Sequence, residues 1–367
     1  MPTRVLLLAR ELNLGGSERQ MTEIARGLDR ARFEPYVGCF IPEGLRAREL
    51  REAGIPILHL PIDSFKSPAA VSGARLLARY VRERNIAIVH AFDYPMNVFA
   101  VPVARYFGRA VALSSQRGHR DLTPPFYLRL LRMTDSMADG IVVNCEFLRR
   151  HLIEDYAVPR EHIHLCYNGI DLDSFRRCAP KPPNPTLTIG TVCALRPEKS
   201  LGTLLDAFAQ LRTDRPARLT IVGDGPELQD LRHRAAALGI AAQVDFQPAT
   251  QDVPGQLRAI DIFVLPSRTE ALSNSLMEAM ACGCACIASN VGGTPELIRH
   301  GETGLLFETG KVAALAETLR TLICDESLRR RLADTGHDFL HQSFSLAASA
   351  SRMGEIYESM LTHGRRR

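Results

Sequence analysis

Short apolar runs of strand length alternate with longer amphipathic segments along nearly all of this 367-residue chain. In the first half the strand-like runs fall at 5–9, 36–40, 56–60, 86–90, 110–114 and 140–144. Helical spacing fills the intervals at 17–28, 45–53, 69–84, 97–106, 126–137 and 146–154. A second series follows, with strands at 186–192, 218–222, 244–246, 262–265 and 285–289 and helices between them. Strands that are apolar throughout and separated by helices cannot pair as hairpins. They predict parallel sheets buried on both faces by helices. Between the two series lies Pro180-Lys-Pro-Pro-Asn-Pro185, whose proline density marks a stiff linker. The expectation is two doubly wound α/β domains, 1–179 and 180–343, facing each other across a cleft. The last segment, 344–367, is set apart as a closing helix.

Composition excludes several functions. With 46% hydrophobic and 23% charged residues, the chain reads as a globular protein with sizeable cores. Residues 1–180 carry 25 Arg+Lys against 20 Asp+Glu, and the remainder 20 against 21. That imbalance suits an anionic substrate or membrane surface and is too small for nucleic acid. With no Trp and only 6% aromatics, a stacking platform for bases is not expected. Nine cysteines, an odd number scattered through apolar segments, fit reduced thiols in the cytoplasm. The opening apolar run is too short for a signal peptide or a span, and no other run reaches about 18 residues. Cys282, Cys284 and Cys286 alternate across a helix end into a strand, so their thiols should diverge; no metal site is expected there.

In a parallel sheet, ligands bind beyond the carboxyl ends of the strands, which singles out the residues placed there. In the second half these surround 265–289, read as strand, polar loop, helix and strand. Glu270 closes the loop, Ser273 is the expected N-cap, and Glu278 lies on the helix. The helix N-terminus at Ser273, Asn274, Ser275 and Leu276 offers free N–H groups to an anion. Arg196 and Lys199, three apart after the first strand of this half, could both reach a diphosphate. Gly223 opens a Gly-Asp-Gly-Pro turn at another strand end. In the first half, Gly15-Gly16 with Ser17 as N-cap is either an anion cradle or a plain turn. His90 ends a strand and is either a proton carrier or sugar partner, or a structural histidine. The segment 116–125, carrying Arg117 and His119, joins Arg129 and Arg132 in a basic patch. That patch is either a solvated loop or a contact for a membrane surface or an anionic acceptor.

Taken together these motifs resemble the retaining glycosyltransferases of family 4, with the two-domain GT-B fold. The resemblance rests on Pro266-Ser-x-x-Glu270 running on to Leu276-x-Glu278-Ala-Met-Ala-Cys-Gly283. It also rests on Arg196-Pro-Glu-Lys199, Gly223-Asp-Gly-Pro226, Asn168-Gly-Ile-Asp171 with Phe175, Gly292-Gly-Thr-Pro-Glu296 and Gly15-Gly-Ser-Glu18. It covers nearly the whole chain.

The resemblance implies a nucleotide diphospho-sugar held mainly by the second domain. Glu278 would bind the ribose, Arg196 and Lys199 the diphosphate, and the N–H groups from Ser273 to Leu276 the phosphates. Gly15 and Gly16 would close over the phosphates from the other domain, and Glu270 would hold the transferred sugar. No metal or other cofactor is implied, because the cations supply the positive charge. The family's histidine after the fifth strand of the first domain is missing; Arg117 is taken as its substitute, with His119 two residues on. Phe246-Gln-Pro-Ala replaces the family's F-x-G, which leaves UDP or GDP open. The implied reaction moves a hexose to a lipid-linked or polysaccharide acceptor, in the cytoplasm or peripherally on the inner face of the membrane. Two alternatives share the fold: a sugar-nucleotide epimerase, and a catalytically silent partner subunit. The segment from Phe344 is expected to cross back onto the first domain.

Overall fold

The computed structural model describes residues 1–13, 15–177, 186–213 and 215–364, with the backbone only of His363 and Gly364. The chain packs into two units, Met1–Gly169 with Leu346–Arg367, and Ile170–Ser345. The boundary expected near 180, with its proline run, lies outside the described residues.

The first unit runs β1 (Thr3–Leu8), α1 (Gly16–Gly27), β2 (Phe33–Cys39), α2 (Leu45–Glu52), β3 (Ile57–His59), α3 (Pro68–Glu83), β4 (Ile88–Ala91) and α4 (Tyr94–Pro102). It continues β5 (Val111–Gln116), α5 (Pro125–Met137), β6 (Gly140–Val143), α6 (Glu146–Glu154) and β7 (Ile163–Leu165). These strands form a seven-stranded sheet in the order β3-β2-β1-β4-β5-β6-β7, parallel at every pairing. Residues of β1 alternate between two cores: Val5 and Leu7 face one side, Leu6 and Leu8 the other, and all four are fully buried. A strand covered on both faces has no polar face to show, which is why β1 reads as a continuous apolar run. Pro102 ends α4 before the expected 106. It has no N–H for the helical ladder, and the chain passes into a π-helical turn at Val103–Gly108.

The second unit runs β8 (Leu187–Val192), α7 (Leu201–Ala209), β9 (Ala217–Val222), α8 (Leu228–Ala237), β10 (Val244–Gln247), α9 (Val253–Ala259) and β11 (Ile262–Leu265). Then come α10 (Asn274–Ala281), β12 (Ala285–Ser289), α11 (Thr294–Leu297), β13 (Leu305–Phe307), α12 (Val312–Cys324) and α13 (Glu326–Ser343). Its six-stranded parallel sheet has the order β10-β9-β8-β11-β12-β13. Of α11, β13, α12 and α13, only α11 overlaps a motif named above, Gly292-Gly-Thr-Pro-Glu296.

The last helix, α14 (Leu346–Gly364), belongs to the first unit, as expected for the closing segment. Met353, Ile356, Tyr357 and Met360 enter the core under α1, and Tyr357 meets Phe33 edge-on at 5.8 Å. Burying apolar area of this kind stabilises by about 25 cal/mol per Å², so α14 completes the unit.

In both sheets the chain first builds outward on one side and then returns to the other side of its starting strand. The returns place β4 beside β1 and β11 beside β8. At these switch points the two strand-end loops diverge and leave room for a ligand.

Candidate active site

At the β8/β11 switch point of the second unit two loops meet. The loop after β8 carries Arg196 and the 3-10 turn Pro197–Lys199; the loop after β11 carries Glu270. Their side chains join directly, with Lys199 Nζ bound to Glu270 Oε1, and the same oxygen accepts from Ser267 Oγ at 2.9 Å. Both partners are largely shielded, at 18% and 10% exposure of their side chains. Burial disfavours the ammonium, but the Glu270 carboxylate, with Cys193 and Glu198 near it, holds the Lys199 pKa above its ordinary value. A permanent cation therefore stands at the strand ends at neutral pH.

Backbone contacts fix both loops. Arg268 N donates to Glu198 O at 2.8 Å and its guanidinium to Pro197 O at 3.0 Å, tying one loop to the other. The buried Ser267 carbonyl accepts from Ser289 Oγ at 2.5 Å and Thr309 Oγ1 at 3.3 Å. Gly292, at φ +56°, lies against the Glu270 backbone so closely that a Cβ would collide with the Glu270 carbonyl oxygen. Gly223, at φ +145°, stands in the same relation to Cys193 O. Both positions combine a backbone conformation that favours glycine with no room for a side chain.

Beyond Glu270 the chain enters α10. Ser273 is its N-cap, its Oγ accepting from Leu276 N at 3.4 Å and lying 3.2 Å from Ser275 Oγ. The first turn, from Asn274, presents backbone donors and the positive end of the helix dipole. Glu278, one turn further on, is 6% exposed. Arg196 is the N-cap of the 3-10 turn and its side chain is exposed, with no ion pair among the described residues. The second unit thus carries two cations, two carboxylates and a helix N-terminus on the segments that follow its central strands β8 and β11.

The first unit treats its polar residues differently. Gly15 is the N-cap of α1 and Gly16 its first residue; Ser17, the expected cap, lies inside the helix, and the Glu18 side chain folds back over Gly15. His90, expected to be available to a sugar or a proton, is 0% exposed. Its Nδ1 lies 2.9 Å from Tyr357 Oη and its Nε2 2.8 Å from Ser115 Oγ. Burial, and to a smaller extent Arg117, pushes its pKa well below the ordinary value, so it is a neutral core residue tying β4 to β5 and α14.

Arg117 is only partly exposed. It donates to Asn168 Oδ1 at 2.6 Å, lies over the Phe92 ring at 5.2 Å, and is brought down to about 10 by burial. His119 stacks on His151 at 4.1 Å and near Phe147 at 5.6 Å. Arg120, 1% exposed, is paired with Asp135 at 2.8 Å. The basic patch expected over this loop therefore shrinks to Arg129 and Arg132, both exposed on α5.

Three contributors escaped the sequence reading. Ser267 stands three residues before Glu270, inside a motif already singled out, and is the one with a sequence signal. Ser289 and Thr309 act on it from the ends of β12 and β13, and only the folded sheet brings them there.

Comparison with known proteins gives the family. The description "Glycosyl transferases group 1" matches residues 176–339, and "Glycosyltransferase Family 4" matches 14–174. The chain belongs to the family 4 glycosyltransferases. It is 26% identical over 307 residues to the N-acetyl-alpha-D-glucosaminyl L-malate synthase of Bacillus anthracis, covering 80% of each chain. It is 28% identical over 372 residues to a GDP-mannose-dependent alpha-(1-6)-phosphatidylinositol monomannoside mannosyltransferase of Mycolicibacterium smegmatis, covering 89% of this chain and 94% of that one. Among solved structures, Anabaena HepE in complex with UDP and glucose superposes with a TM-score of 0.85 at 21% identity, over 97% of this chain and 100% of the other. That likeness shows the GT-B fold.

Proposed function

We propose that this glycosyltransferase is a retaining, metal-independent hexosyltransferase using a UDP- or GDP-sugar. The observation that carries the proposal is the Lys199–Glu270 pair at the β8/β11 switch point, next to the N-terminus of α10. As the bond from the sugar C1 to the diphosphate oxygen breaks, its electron pair leaves with the phosphate. Charge grows on that oxygen, and it must be met by groups already in place. Lys199, Arg196 and the N–H groups at the start of α10 before Leu276, whose own N–H is taken by the Ser273 cap, meet it; one such preorganised donor is worth roughly 10²–10³ in rate. A cation kept charged by Glu270 does this without a divalent ion.

Glu278 accepts from the ribose hydroxyls, and Glu270 orients the sugar for the acceptor hydroxyl. That oxygen bonds to C1 on the face from which the diphosphate departs and gives its proton to the departing diphosphate oxygen, leaving the anomeric configuration unchanged. Gly223 leaves the end of β9, beside the loop that carries Arg196, without a side chain. The acceptor is a lipid-linked or glycan hydroxyl taken by the first unit, where Arg117 and His119 lie by the end of β5.

No helix among the described residues is long and apolar enough to cross a membrane. Peripheral contact is assigned to α5 and the loop before it, where Leu122, Phe126 and Met133 are exposed beside Arg129 and Arg132. Such a protein would work in the cytoplasm, at the inner face of the membrane.

The test is turnover of UDP- and GDP-sugars with and without lipid-linked acceptors, with the anomeric configuration of the product read by NMR. Acceptor-dependent release of UDP or GDP in the presence of EDTA, with retention, is expected. Turnover without acceptor would instead identify an epimerase, and no turnover with any donor would favour a silent subunit.

A further inference from the structure

Lys199 and Glu270 meet through a single oxygen. An ammonium has several N–H groups and a carboxylate has a second oxygen, so a pair of this kind can make more contacts than one. Here Lys199 Nζ goes to Glu270 Oε1, and Ser267 Oγ donates to that same Oε1 at 2.9 Å. Glu270 Oε2 and the remaining N–H groups of Lys199 meet no partner among the described residues. An ion pair that only braced the fold would be better served by using both oxygens, because a shielded polar atom left unmatched costs stability.

Two long side chains that touch at one atom do not fix each other. Each turns about several bonds, so the carboxylate can swing around Oε1 while the contact to Lys199 is kept. Ser267 removes that freedom. Its side chain is short, the residue is 0% exposed, and it stands two residues past the end of β11. Its carbonyl is held in turn by Ser289 Oγ at 2.5 Å and Thr309 Oγ1 at 3.3 Å. Ser289 ends β12 and Thr309 lies two residues past β13, and these strands neighbour β11 in order. Three hydroxyl groups from three adjacent strand ends therefore converge on one carboxylate oxygen and the backbone behind it.

The loop itself does not need the Ser267 hydroxyl. Arg268 already ties it to Glu198 O and Pro197 O, and Gly292 lies against the Glu270 backbone. Loss of Ser267 Oγ would free the carboxylate and leave the loop in place.

We propose that Ser267 is a positioning residue for the transfer. By holding Oε1 it aims Glu270 Oε2 at a hydroxyl of the transferred sugar and leaves the other Lys199 N–H groups to the departing diphosphate oxygen. Ser267 acts through Glu270, and Ser289 and Thr309 act through Ser267. The inference rests on the transferase reading and names the Glu270 atom that meets the sugar and the residue that orients it.

The experiment measures turnover of the full chain with the nucleotide sugar and acceptor used by the wild type in the assay above, UDP-glucose and GDP-mannose serving as first donors. Ser267→Ala should lower kcat roughly 10- to 100-fold, the range that a small misplacement of a reacting group can cost. Donor KM, affinity for UDP or GDP, and Tm should stay close to wild type. In a Glu270→Ala background the same change should cost nothing further, because the group it positions is gone. Wild-type kcat in Ser267→Ala would overturn the proposal, as would losses that multiply in the double variant. A fall in kcat matched by weaker nucleotide binding and a lower Tm would also overturn it, since Ser267 would then serve the fold alone. Turnover by the wild type with Ser267→Ala unaffected defeats this inference by itself; a wild type that turns over no nucleotide sugar defeats the transferase reading.

Discussion

The two units share a sheet topology and use its switch point in opposite ways. In the second unit the strand-end loops deliver charge: Lys199 against Glu270, with a capped helix and Glu278 behind them. In the first unit the polar residues at the strand ends are consumed by the fold. His90 holds Tyr357 of α14 and Ser115 of β5, Arg117 holds Asn168, and Gln20 on α1 exchanges hydrogen bonds with both sides of Gly169. What remains open over its strand ends is a cavity where four aromatic rings, Phe40, Phe65, Tyr94 and Tyr127, stand with Arg10, Asp63 and Ser64. A parallel α/β sheet therefore places a ligand but does not choose it, and the loop chemistry decides whether charge or apolar surface is offered.

The largest effect that would break this comparison is on turnover. Lys199→Ala should lower kcat by roughly 10³ with little change in the melting of the first unit, since it removes a preorganised cation. It also leaves Glu270 shielded and without its ammonium, a loss of about 3–5 kcal/mol for a buried pair, smaller here because both groups keep some solvent. A Lys199→Ala enzyme with near-normal kcat would remove the second unit's claim to the chemistry.

Next in size is Gly292→Ala. A methyl group there meets the Glu270 carbonyl, so Glu270 must shift, and kcat should fall by about 10² while the sheet itself survives. Normal activity and an unmoved Glu270 in that variant would show that the close approach is tolerated.

The first unit should respond in stability. Tyr357→Phe leaves His90 Nδ1 without its partner and should cost about 1–3 kcal/mol, read as a lower Tm, with UDP affinity unchanged. His90 also carries a pH signature. Its folded pKa is depressed by burial, so its contribution is present above the unfolded value near 6.5 and is lost as pH falls below it. Stability should decline between pH 7 and 5, and His90→Gln should flatten that slope. An unchanged slope would mean that His90 is not held neutral.

The smallest effect concerns Asp93, the N-cap of α4, whose carboxyl is raised by burial to about 6. A raised carboxyl gives stability that is complete below the unfolded pKa near 3.8 and lost as pH rises through 6. Asp93→Asn should therefore gain on the wild type over that window in pH-dependent melting. A constant difference between the two would contradict the raised value.

How much the sequence revealed follows the same division. The alternation of apolar strands and amphipathic helices displayed both sheets, because strands covered on both faces cannot hide among polar residues. In the second unit Glu270, Ser273, Glu278, Arg196 and Lys199 lie in motifs local to single strand-end loops, so their neighbourhood could be read directly. The Lys199–Glu270 contact itself joins residues 71 positions apart and exists only because β8 and β11 are neighbours in the sheet.

The first unit resisted for a physical reason. His90 looks like a strand-end catalyst until Tyr357, 267 positions away, is folded onto it. Arg117 looks like a loop cation until Asn168 and Phe92 enclose it. The cavity over the first sheet draws its four rings from four separate segments, one ring each, so no window of sequence carries it.

The most direct measurement is calorimetric titration of UDP and GDP into the wild-type chain and into Glu278→Ala and Lys199→Ala. Wild type should bind one of the two nucleotides, and each variant should lose at least about 100-fold in affinity, near 3 kcal/mol. Unchanged nucleotide affinity in both variants would contradict the placing of the donor at the carboxyl ends of β8 and β11.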